Sequence, residues 1–99
     1  MQQNNTDNNY MVYIDRMSDL NPEAEYPTGL EQAIVGICDN HFENQPERFA
    51  ISFSKSISIL ADEFSDLDDP EQAAIEWWDY NVAGSYTGVN GPIYVYDGQ

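Results

Sequence analysis

The apolar positions of this 99-residue chain fall into short runs whose spacing changes character along the sequence. Residues 1–9, MQQNNTDNN, carry no large apolar side chain beyond Met1, so they cannot offset their own ordering entropy and read as a disordered tail. Structure is expected to begin at Tyr10. The run YMVYI, residues 10–14, is short and β-prone, and the stretch after it, DRMSDLNPEAEYPTG, is punctuated by Pro22, Pro27 and Gly29 as a long connection would be. The first element is therefore expected to be a strand.

From Thr28 the period lengthens. Thr28 and Glu31 have the spacing of a capping box, and Leu30, Ala33, Ile34, Ile37 and Cys38 recur on one helical face, so a first helix is expected to run to about His41. RFAISFS then alternates Phe49, Ile51 and Phe53 on one side, as a half-buried strand does. Ser54 is placed to cap a second helix with a narrow stripe of Ile57, Leu60, Ala61 and Phe64. Asp69-Pro70-Glu71-Gln72 opens a third: an acceptor at the N-cap, proline at the first turn and glutamine three residues on. That helix should end near Val82, with Gly84 as a left-handed stop, and GPIYVYDG should close the chain as a strand.

The expected fold is a single α+β domain over residues 10–99, with three helices packed on a small antiparallel sheet of two or three strands. The third helix is unusual within it. Ala73, Ala74, Ile75, Trp77, Trp78, Tyr80 and Val82 cover about 220° of its circumference, about twice what a one-sided surface helix needs. Either the helix is sandwiched in the core, or Ile75, Trp78 and Val82 face a second copy across a homodimer interface.

Charge changes the picture more than any motif does. Eighteen acids stand against Arg16, Arg48 and Lys55, a formal net charge of −15. Such a balance disfavours direct binding to nucleic acid or to an anionic membrane, both of which need basic residues, and it favours a basic partner. The densest stretch holds Asp62, Glu63, Asp66, Asp68, Asp69, Glu71, Glu76 and Asp79, with no lysine or arginine among them. Wholly helical, that span would be about 27 Å long with one charge per roughly 3.4 Å, which equals the charge spacing of one DNA strand, also about 3.4 Å. These eight carboxylates are the candidate partner-binding residues. The alternative is a merely solvated acidic face, or the lysine-poor surface of a protein adapted to high salt.

Candidate chemistry is sparse. Cys38-x-x-His41 resembles half a zinc site, but no second cysteine or histidine exists to complete it. A calcium loop starting at Asp66 would need Gly at its sixth position and Glu at its twelfth, where the chain has Glu71 and Trp77. Phosphate-binding and nucleophile-elbow motifs are missing. The expectation is no catalytic activity, no cofactor and no ordered metal. A single cysteine, no apolar run of about 18 residues and no signal-peptide pattern at the N-terminus lead to the expectation of a cytoplasmic protein.

Three segments carry a resemblance: GLEQAIVGICDNHF, DPEQAAIEWWDYNVAGSYTG and GPIYVYDG. They resemble a family of small uncharacterised proteins encoded by bacteriophages, with an E-A-I-V-G pattern, then N-V-x-G-x-x-x-G, then a proline before an apolar strand. The matching positions are Ala33 to Gly36, Ala73 and Glu76 leading to Asn81-Val82-Ala83-Gly84 and Gly88, and Pro92, across about residues 29–96. Gly91 replaces the usual threonine before Pro92, and the first 28 residues have no counterpart. The resemblance implies a phage gene and a shared fold, without catalytic residues. Together with the charge it leads to the expected function: binding and inhibition, in the infected cell, of a basic host protein that handles DNA or RNA in defence, such as a restriction or CRISPR effector, by presenting DNA-like negative charge. The competing expectation is a structural or regulatory interaction module that uses the Trp77-Trp78 surface, its acidity serving solubility alone.

Overall fold

Tyr10, Tyr13, Ile14 and Met17 stand at the i, i+3, i+4, i+7 spacing of one helix face, and all four lie in or against the hydrophobic core. In the computed structural model, which describes residues 9–40, 45–85 and 88–98, they form helix α1 (Asn9–Leu20) in place of the expected strand. The β-prone run YMVYI yields because its apolar period, extended to Met17, is helical; Met11 and Val12 are left exposed. Asn21 N–H closes the last turn on Met17 O at 2.8 Å, and Pro22 stops it. Of the expected disordered tail, residues 1–8 lie outside the described residues, as does His41, while Asn9 starts the helix.

The expected first helix is replaced as well. Glu31–Ala33 makes one 3-10 turn, and Ile34–Asn40 is strand β1. Glu31 does turn back, but its Oε1 accepts from Gly29 N–H at 2.9 Å and caps no α-helix. Strand β2 (Gln45–Ser52) pairs antiparallel with β1, with Ile34 opposite Ile51 and Ile37 opposite Phe49. Two residues of β2 therefore span three of β1, and the register shift between Ile34 and Gly36 is a bulge. The bulge brings Ile34 and Ile37 onto one sheet face although they are three apart, so a strand here carries a helical spacing.

β2 runs directly into helix α2 (Phe53–Glu63), whose cap is Ser52 rather than the expected Ser54: its hydroxyl accepts from Lys55 N–H at 3.1 Å. Helix α3 (Pro70–Trp78) starts as expected, with Asp69 Oδ1 accepting from Gln72 N–H at 3.3 Å, and continues into one π-helical turn (Asp79–Ala83). Gly84 N–H bonds Asp79 O at 3.1 Å to close that turn. Gly84 has φ −81, so it is no left-handed stop; a side chain there would put Cβ 3.0 Å from the Asp79 carbonyl oxygen. Strand β3 (Ile93–Val95) then joins the other edge of β2 in parallel, with Ile51 opposite Tyr94. The sheet, ordered β1-β2-β3, is thus mixed and not antiparallel, because two helices separate β2 from β3 and return the chain to its starting end.

Three helices and a three-stranded sheet make the fold α+β, as expected, though only two of the helices are those that the periodicity marks. The core lies between the sheet face bearing Ile34, Phe49 and Ile51 and the helices, with Ile57, Leu60, Ala74, Trp78 and Val82 among its members. Trp78 sits edge-on to both Phe53 and Tyr94, at centroid distances of 5.5 and 5.1 Å. One buried polar residue ties three segments together. Asn21 Nδ2 donates to Glu47 O at 2.9 Å and to Asn90 Oδ1 at 3.0 Å, while its Oδ1 accepts from Glu23 N–H at 3.2 Å.

Candidate acidic interaction surface

The period of α3 decides which of its apolar residues face inward. Ala74, Trp78 and Val82 follow one another at intervals of four and are buried, Trp78 completely, in the core of a single chain. The expected interface of Ile75, Trp78 and Val82 is therefore corrected: two of the three are enclosed by their own chain, and only Ile75 is partly accessible. The residues between them turn outward instead, Trp77 at 39% exposure and Tyr80 at 85%. The broad apolar circumference thus divides into a buried stripe and an exposed aromatic pair.

All eight candidate carboxylates, Asp62, Glu63, Asp66, Asp68, Asp69, Glu71, Glu76 and Asp79, are exposed. They do not form the straight rod of the helical estimate, because the turn of residues 64–69 separates α2 from α3. Three have local work: Asp69 caps α3, Glu71 lies in its first turn where the helix dipole favours an anion, and Glu76 accepts from Gln72 Nε2 at 3.1 Å. The other five make no such contact among the described residues. Asp62 and Glu63 end α2, where the dipole opposes an anion and no basic residue stands in the last turn, while Asp79 lies where α3 passes into the π-helical turn. Asp66 and Asp68 occupy the intervening turn beside Leu67, itself exposed.

Between α2 and α3 lies a groove of about 700 Å³. Phe53, Ile57, Ala61 and Ile75 supply its apolar lining, and Asp62, Asp69, Glu71 and Asp97 its carboxylates. Asp97 comes from the segment after β3. Its carboxylate accepts from Ser54 N–H at 3.0 Å and lies 2.8 Å from the Ser52 hydroxyl, so it sits at the start of α2. The Ser54 amide, and after it the Ser52 hydroxyl, hold the Asp97 carboxyl below its ordinary pKa. Burial, with the neighbouring Tyr96 second, pushes the Tyr94 hydroxyl up. Asp97 escapes a reading of the sequence because its partners are more than 40 positions away and no local pattern announces the contact.

Cys38 is a free, partly buried thiol on β1 rather than on a helix, and its spacing to His41 ends outside the described residues. Among the described residues no group of three or more His, Cys, Asp and Glu side chains is arranged to hold a metal ion, and no helix is long and apolar enough to cross a membrane. Compared with protein families, with curated proteins and with solved structures, the chain finds no match.

Proposed function

We propose that this is a small phage-type protein that binds and inhibits a host nucleic-acid-handling defence protein through the acidic surface of α2, α3 and the turn between them. The observation that carries the reading is the set Asp62, Glu63, Asp66, Asp68 and Asp79, all exposed, none with its side chain in a cap or hydrogen bond among the described residues, and two of them, Asp62 and Glu63, at the end of α2 where the dipole opposes them. Acids that served solubility alone would cost less elsewhere. A basic groove that attracts DNA electrostatically is attracted by this surface for the same reason, and association should be fast and sensitive to salt. Trp77 and Tyr80 add exposed aromatic area beside the charges, the composition of an interface hot spot. The reading needs no catalysis, cofactor or direct contact with nucleic acid.

The test is a pull-down from host lysate at low and high salt, followed by competition with duplex DNA for the captured protein. Neutralising Asp66, Asp68, Glu76 and Asp79 to Asn or Gln is expected to weaken capture and flatten its salt dependence, more than the same change at Asp15, Asp19, Glu23 and Glu25. Equal behaviour of the two sets reduces the surface to a solvated face. The same aromatic pair favours a second reading, an interaction module whose partner is held by Trp77 and Tyr80; its signature is a salt-resistant complex lost in Tyr80→Ala.

A further inference from the structure

We propose that the groove between α2 and α3 seats a basic amphipathic segment of the partner protein, with apolar side chains on its floor and arginine or lysine side chains against its rim. The inference deepens the acidic-surface reading and rests on it, since both take the partner to be cationic. Phe53, Ile57 and Ile75 give the floor an apolar lining in an otherwise charged neighbourhood, so closing it removes apolar surface from water. Asp62, Glu71 and Asp97 stand around that floor. Asp62 and Glu71 make no ion pair among the described residues, so an incoming guanidinium gains a partner without displacing one.

Charge selects among occupants. A nucleic acid or an anionic lipid would bring negative charge to this rim, and a second copy of the chain would bring a net charge of −15. A free cation would satisfy the carboxylates and leave the floor wet. A segment with apolar and basic residues at helical spacing does both, and the methylene stems of arginine and lysine extend the apolar contact up to the carboxylates.

The experiment titrates the full chain with two synthetic peptides of equal positive charge. One places Leu, Lys and Arg at helical spacing; the other separates the same basic residues with Ser and Gly. Anisotropy reports affinity, and methyl resonances of Ile57 and Ile75 report location. The amphipathic peptide is expected to bind at least tenfold more tightly, to keep that advantage in high salt and to shift both methyls. Ser58→Arg, at an exposed position lining the groove, should remove the advantage while weak binding of the polar peptide persists. Asp62→Asn with Glu71→Gln, which touches no core residue, should lower affinity for both peptides and gives a second variant if the first fails to fold. Equal affinities, or methyl shifts confined to residues outside the groove, overturn the proposal and leave the acidic-surface reading standing. No binding of either peptide by the folded protein overturns both.

Discussion

The carboxylate of Asp97 bonds the backbone N–H of Ser54, 43 residues earlier, and fastens the segment after β3 to the first turn of α2. Hydrogen bonds to the charged form lower its folded-state pKa beneath the ordinary 3.8. The contact therefore contributes in full above that ordinary value and is lost as pH falls through the lower, folded-state value. Protonation of the many surface acids relieves repulsion over the same range, so the readout has to be local. A carboxyl titration by NMR should place Asp97 below 3.8, with Ser54 N–H exchange accelerating as it protonates. A midpoint at or above 3.8 counts against the contact.

Gly98 extends the same fastening. Its φ is +90, and an added Cβ would lie 2.6 Å from Ser54 Cβ. Gly98→Ala should release the segment and raise Ser54 N–H exchange as Asp97→Asn does, at a local cost of about 1 kcal/mol or more. The pair of variants together should do little more than either alone, because each opens the same contact.

The two adjacent tryptophans should separate cleanly in denaturant unfolding. Trp78→Ala empties a fully buried site between Phe53 and Tyr94 and should cost about 3–5 kcal/mol. Trp78→Phe should cost much less, since the indole N–H has no acceptor among the described residues to lose. Trp77→Ala should change stability by less than about 1 kcal/mol. Comparable losses at Trp77 and Trp78 would contradict the inward and outward division of α3.

Asn21→Ala should destabilise by about 1–3 kcal/mol, because it leaves the Glu47 carbonyl and Asn90 Oδ1 without their common donor. The loss should reach the segment before β3, where Glu25 N–H bonds Asn90 O at 2.9 Å and Arg48 Nε bonds Val89 O at 2.8 Å. Hydrogen exchange that rises only around Asn21, leaving the Glu25 amide protected, would show the three segments to be independent.

Local chemistry settles some of these elements from neighbouring residues alone. Asp69-Pro70 opens α3 where it should, because an acceptor followed by a residue without an N–H satisfies a helix start from within. The stripe of Ile57 and Leu60 places the inner face of α2, and the eight acids between Asp62 and Asp79 are exposed because unpaired charge is costly to bury. Tertiary structure decided the rest. Ile34 and Ile37 have helical spacing, yet they lie on a strand, since β2 was available as a partner and a bulge reconciles three residues with two. The direction of β3 followed from where α2 and α3 return the chain, a matter of helix length and packing that no residue of β3 encodes. The groove, and the capture of the α2 start by Asp97, required residues more than 40 positions apart to meet, and only the packed fold brings them together.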